Sequence, residues 1–183
     1  MPRISEFGPQ GANEEQRKVL QEIVSGPHGR IVGPYHAWLH SPELARRARN
    51  LSEFIRFKSS LPKRLSEIAI LATGRFWKAE FEYYAHAKLA KQAGIDDAVI
   101  AVIARNERPT FKNTDEETVY AVCRELFDTR RVSEKTYARA LELLGLPGLV
   151  ELVATAGYYS MVSMTLNTFE IPLPPGEKSP FPE

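Results

Sequence analysis

The sequence predicts an all-α fold in a single domain, and three observations carry that reading. Apolar residues recur at spacings of three and four along most of the 183 residues. No stretch combines β-branched enrichment with hairpin turn signals. Capping residues, prolines and glycines divide the chain into about eight helical pieces, each needing neighbours to bury its apolar stripe. With 43% hydrophobic residues the chain is long enough for one sizeable core and short for two, so residues 1–183 are read as one domain.

The two ends are rich in Pro, Gly and charge, and Pro172, Pro174, Pro175, Pro180 and Pro182 exclude a regular helix at the C-terminus. Residues 1–12 and 172–183 are therefore expected to be extended arms, lying over the surface or a neighbouring subunit. Asn13 caps a first helix through about Val24, with Val19, Leu20, Ile23 and Val24 as its stripe and Gly26-Pro27 as its end. Gly29 to His40 reads as partly irregular. Ser41-Pro42 supplies a capping residue and a proline at the first helical position for a helix toward Lys58. Leu61-Pro62 opens the next, with Leu65, Ile68, Ala69 and Ala72 on one face and Gly74 as a break or a close-packing point. A helix from about Trp77 to Ala93 ends at Gly94, and Asp96 caps a short one through Ala104. Thr114-Asp115-Glu116-Glu117 has the pattern of a capping box, opening a helix to about Thr129. Ser133 starts another through Leu144, and Gly145-Leu146-Pro147-Gly148 separates it from a last helix, Leu149 to about Thr168.

Lys plus Arg number 24 against 23 for Asp plus Glu, so no net field draws the molecule to nucleic acid or an anionic membrane. No secretory leader is visible, and no uninterrupted apolar run approaches the ~20 residues that span a bilayer, which predicts a cytoplasmic protein. Cys123 is the only cysteine, excluding an intramolecular disulfide, and its place on an amphipathic helix predicts a buried, inert thiol.

The densest functional group is Phe76-Trp77-Lys78-Ala79-Glu80-Phe81-Glu82-Tyr83-Tyr84-Ala85-His86. Glu82 and His86 are four apart, so on a helix they share a face, close enough for carboxylate to meet imidazole. At the edge of the apolar stripe, partial desolvation would tune both for general acid and base work. If the chain folds back at Gly74 to Phe76, Glu67 on the preceding helix reaches the same depth, and two carboxylates converge with an imidazole. The competing reading is an exposed helical pair of no functional weight.

The run Leu61-Pro62-Lys63-Arg64-Leu65-Ser66-Glu67-Ile68-Ala69-Ile70 is followed, nineteen residues after Glu67, by His86 and Ala87-Lys88-Leu89-Ala90-Lys91-Gln92-Ala93-Gly94-Ile95. With Gly157-Tyr158-Tyr159, Leu166-Asn167-Thr168-Phe169 and Pro172-Leu173-Pro174, the chain resembles the carboxymuconolactone decarboxylase family of the alkylhydroperoxidase D superfamily, from about Gly33 onward. The resemblance implies a multi-helix bundle that assembles as a homo-oligomer, a trimer, hexamer or dimer. In the peroxidase branch a glutamate, a CxxC pair and a histidine form a relay to a reactive thiol. The glutamate and histidine positions here are Glu67 and His86, but Ala79 and Glu82 stand at the cysteine positions. Without a thiolate the thiol peroxidase chemistry is expected to be absent. The decarboxylase branch also lacks the cysteines, and its resemblance implies cofactor-free acid and base chemistry on a small carboxylated lactone. Glu67, Glu82 and His86 are the catalytic candidates, with the product-forming proton assigned to His86 or Glu82. Arg64, Arg75 and Asn167 are candidates for holding a substrate carboxylate.

His36 and His40 are four apart, a spacing that can bind metal on a helix, but no third ligand is placed beside them, and no metal or other cofactor is expected. His36, Trp77, Tyr83 and Asn167 are the substrate-binding candidates. Trp77, Tyr83, Tyr84, Tyr158 and Tyr159 line either a pocket or a core. Gly26-Pro27-His28-Gly29-Arg30 matches no phosphate loop. Two functions of different class remain: a lyase-type acid-base enzyme acting on a small molecule, and a silent ligand-binding or assembly protein of the same fold. Oxidoreductase activity through Cys123 would require that residue to be exposed near a base.

Overall fold

The computed structural model describes residues 2–26 and 29–182; Pro27 and His28, in the expected end of the first helix and the segment after it, lie outside the described residues. Among those residues there are eight helices and no strand. Helix α1 is Glu14–Ser25, opened by Asn13, whose Oδ1 accepts from Gln16 N at 2.8 Å while Gln16 Oε1 accepts from Asn13 N at 2.9 Å. Helix α2, Tyr35–Trp38, is one turn. Before it Gly33 adopts φ +55°, and a Cβ there would meet the Phe81 ring at 3.0 Å, so glycine serves both the turn and the close approach.

Helix α3 is Pro42–Phe57. Ser41 precedes it but makes no side-chain cap, against expectation, because the chain arrives directly from α2 with Ser41 at ψ 81° rather than in the extended cap geometry. Helix α4, Lys63–Phe76, is the centre of the molecule: every residue from Leu65 to Gly74 is buried. It packs against α5 (Glu80–Gln92), α7 (Thr114–Thr129) and α8 (Glu134–Thr168). Gly74 is a packing point inside α4 rather than a break. The chain turns at Trp77–Ala79, where Trp77 N donates to Thr73 O and Ala79 N to Gly74 O, with Lys78 at φ +51°. That turn delays the start of α5 three residues beyond the expected Trp77.

Asp96 caps α6 (Asp97–Ala104) by accepting from Ala98 N at 2.9 Å. At α7 the expected capping box does not form: Asn113 is the cap residue, Glu116 is drawn to Arg64, and Glu117 to Arg108. Arg64 also pairs with Asp115, fastening α4 to α7. Ser133 caps α8, and the expected separation at residues 145–148 is a kink at Gly145 (φ 66°, ψ 171°) with Pro147 just beyond it, where its missing N–H is tolerated.

One apolar cluster lies among α4 to α8, around Leu65, Ile68, Leu71, Ile103, Val122 and Leu152. A second joins α1, α2 and α3 to α8 through Val19, Ile23, Trp38, Leu39, Ile55 and Tyr158. The arms fold back on their own chain. Arg3 donates to Thr168 O at 3.1 Å, and Phe7 meets the His40 ring. Phe181 sits against Tyr83, under the Arg75 guanidinium. Helix α8 holds an 18-residue window of mean hydropathy 1.4, by length and composition apolar enough to cross a membrane. The sequence reading missed it because a window tolerates scattered polar residues that interrupt a continuous run. A third of that window is buried within the chain.

Candidate active site

The α4–α5 hairpin places Glu67, in the second turn of α4, opposite Glu82 and His86 on α5. His86 Nδ1 lies 2.7 Å from Glu67 Oε2, and Nε2 lies 3.0 Å from Glu82 Oε1. The three residues are 3%, 4% and 5% exposed for Glu67, Glu82 and His86. With Glu67 hydrogen-bonded at Nδ1 and Glu82 Oε1 in ion-pair contact at Nε2 but off hydrogen-bond alignment, the imidazole can pass a proton between the two carboxylates once the Glu82 carboxylate turns into line. Burial pulls the His86 pKa down, but the charge of Glu82 and the hydrogen bond and charge of Glu67 outweigh it, and the value rises to about 9. His86 is therefore an imidazolium at neutral pH, set to give a proton rather than take one.

Tyr159 of α8 closes one side, its ring edge-on to His86 at 5.0 Å between centroids. Burial first, and then the Glu82 charge, hold the Tyr159 hydroxyl well above its ordinary pKa, with Arg56 acting in the opposite direction. Tyr158 packs on Tyr159, and Trp38 on Tyr158, continuing the aromatic wall into the second cluster. Burial pushes the hydroxyl of Tyr35 up to about 12 and that of Tyr158 up as well.

The structure thus brings together the three catalytic candidates, and it places the four substrate-binding candidates elsewhere. His36 Nδ1 accepts from Phe7 N at 3.0 Å, tying that ring to the N-terminal arm, and burial lowers its pKa against the charge of Glu6. Tyr83, next to Glu82 in sequence, points into the core and donates its hydroxyl to Ile100 O at 2.6 Å. Asn167 is exposed and donates to Trp77 O at 2.7 Å, and the Trp77 ring packs on Phe76. Of the carboxylate-binding candidates, Arg64 is held by Asp115 and Glu116, and Arg75 donates to Ala104 O.

Among the described residues no group of three or more His, Cys, Asp or Glu is arranged to hold a metal ion. Cys123 is fully buried in the core, and burial pushes its thiol up to about 12, so no reactive thiol meets a base there. The two grooves described on the surface are away from this site. One of about 340 Å³ is lined by Asn106, Arg108, Tyr120 and Arg124. The other, of about 430 Å³, is lined by Thr114, Arg139 and Glu142.

A residue the sequence reading passed over is Arg56. Glu53 lies four residues after Arg49 and three before Arg56, so helical spacing alone leaves its partner open. The structure gives Glu53 to Arg49 at 2.6 Å and leaves Arg56 beside the Phe57 ring.

No family model matches the sequence, and no curated protein matches it. The chain is nevertheless similar in three dimensions to a solved protein from Ralstonia eutropha JMP134, described as an alkylhydroperoxidase AhpD core and an uncharacterized peroxidase-related protein. The TM-score is 0.77 at 14% identity, over 95% of this chain and 93% of that one. It is also similar to a protein of unknown function from Agrobacterium tumefaciens, proposed to be the antioxidant defence protein AhpD. There the TM-score is 0.64 at 13% identity, over 75% of this chain and 95% of the other. These likenesses show the fold, an AhpD-like helical bundle.

Proposed function

Starting from an AhpD-like bundle without a cysteine pair, we propose that Glu67, His86 and Glu82 form the proton-transfer centre of a cofactor-independent, lyase-type enzyme. Its substrate class is a small unsaturated carboxylated lactone or a related acid from aromatic degradation. The observation that carries this reading is the His86 ring lying between two buried carboxylates, hydrogen-bonded to Glu67 at 2.7 Å and in ion-pair contact with Glu82 at 3.0 Å. In a decarboxylation, the electron pair of the breaking carbon–carboxylate bond passes into the conjugated lactone system, and a proton is added at the far carbon as CO2 leaves. His86, charged at neutral pH, is the donor of that proton. Glu82 or Glu67 returns one to it from solvent.

The resemblance to the decarboxylase family, carried by the motif around Glu67 and by His86, supports the substrate class. Glu82 at a cysteine position of the peroxidase branch supports acid-base rather than thiol chemistry. One observation favours a second reading, a silent binding or assembly protein: all three residues are buried, and the described grooves are lined by other residues.

The test is CO2 release from a panel of unsaturated carboxylactones in D2O, with deuterium located in the product. The enzyme reading expects turnover with deuterium at the far carbon, and a loss of about 100-fold or more in His86→Ala. Turnover that His86→Ala leaves unchanged contradicts the assignment, and no release from any lactone in the panel favours the second reading.

A further inference from the structure

Glu82 stands in the first turn of α5, and that turn opens without a side-chain cap: Ala79 occupies the cap position and offers no acceptor. A helix start of this kind frays unless other parts of the chain hold it. On its inner side Gly74 of α4 faces Tyr83 N and Glu82 Cγ, and Asn167 holds the Trp77 carbonyl in the turn before it. Its outer side is held by the C-terminal arm. Glu80 Oε1 accepts from Ser179 Oγ at 2.6 Å, Tyr84 donates to Glu177, and Lys88 lies 3.6 Å from Glu177. Glu80, Tyr84 and Lys88 are four apart, so the arm follows one stripe of α5. These polar ties are exposed, and each is worth little alone. The apolar seat is Phe181, whose N donates to Ser179 Oγ at 3.2 Å, so that ring and tie act together. Its ring lies 5.1 Å from that of Tyr83, with the Arg75 guanidinium 4.9 Å from its centroid. Tyr83, 1% exposed, follows Glu82 directly in the chain.

We propose that Phe181 is a positioning residue of the proton-transfer centre: seated through its ring, the C-terminal arm braces the first turn of α5 and so holds the Glu82 carboxylate against His86. This deepens the proton-transfer reading, and rests on it for the consequence to the reaction but not for the brace itself. The arm contacts residues on both sides of Glu82, at Glu80 and at Tyr83. A first turn that opens lets water screen Glu82 and carries it away from the 3.0 Å contact with His86, whereas Glu67, in the second turn of α4, keeps its place. An arm that only covered apolar surface would raise the melting temperature and leave the titration of one buried ring alone.

The test follows two signals in the full chain: the 15N titration of the His86 ring, and hydrogen exchange at the Tyr83 amide, which donates to Ala79 O at 3.0 Å. Phe181→Ala is expected to lower the His86 midpoint by about one pH unit, or about tenfold in proton affinity, and to speed Tyr83 exchange by about tenfold or more. Phe181→Leu keeps much of the apolar volume and falls between this variant and the native chain; it carries the comparison where Phe181→Ala does not fold. Val19→Ala, in the cluster around α1, is the control: it lowers the melting temperature and leaves both signals as they were. A Phe181→Ala chain that melts lower but keeps the native midpoint or the native Tyr83 exchange overturns the proposal. So does a Val19→Ala chain whose midpoint moves as far. A native His86 already neutral at pH 7.5 counts against the proton-transfer reading instead, and Tyr83 exchange then decides the brace by itself.

Discussion

At the scale of single residues, His86 links the chemistry of the site to the stability of the fold. Its pKa stands at about 9 in the folded chain against 6.5 unperturbed, so folding favours the protonated ring. The stabilisation is complete below about pH 6.5 and is lost as pH rises through about 9. The melting temperature is therefore expected to fall between pH 7 and 10, and His86→Gln should flatten that part of the curve. A native profile that is flat across this range contradicts the assignment. Glu67→Ala leaves a buried imidazolium with one partner and is expected to cost about 3–5 kcal/mol in urea denaturation. The i, i+4 pair of Glu82 and His86 was legible in the sequence, because helical spacing alone puts them on one face. The Glu67 contact was not fixed by spacing, since it depends on the turn at Trp77–Ala79 bringing two helices back to back.

At the scale of elements, caps made by neighbouring residues were readable and caps that compete with tertiary ion pairs were not. Asn13, Asp96 and Ser133 accept from backbone amides within three residues, so their local pattern suffices. Thr114 and Glu117 have the same local pattern, but Arg64 on α4 and Arg108 claim the glutamates of that turn. Gly74 offers a test of the hairpin that builds the site. A Cβ there would meet Tyr83 N at 3.6 Å and Glu82 Cγ at 3.8 Å, ordinary contact distances inside a helix. Gly74→Ala is thus expected to stabilise the chain by up to about 1 kcal/mol, read from the urea midpoint. A loss of more than that would show that α4 and α5 approach too closely for any side chain at this position.

At the scale of the whole molecule, the all-α class was legible because periodicity and punctuation agree along the entire chain, and the AhpD-like bundle follows them. Assembly and substrate access were not, since both depend on surfaces rather than on local pattern. The apolar window of α8 is one-third buried, and Leu146, Val150 and Val153 on it face outward. We expect a second copy of the chain to cover that stripe, as exposed patches of this kind commonly require. Light scattering should then give a multiple of 20.6 kDa, reduced by Val150→Glu, whereas a native monomer contradicts the expectation. The proposed reaction turns on whether the core of this bundle holds a charged imidazole. The most direct test is a 15N NMR titration of the His86 ring between pH 5 and 11, in the native protein and in Glu82→Gln. A ring protonated on both nitrogens at pH 7.5, losing its proton near pH 9 in the native protein and at lower pH in the variant, is the predicted result. A native His86 that is already neutral at pH 7.5 would contradict the proton-transfer centre.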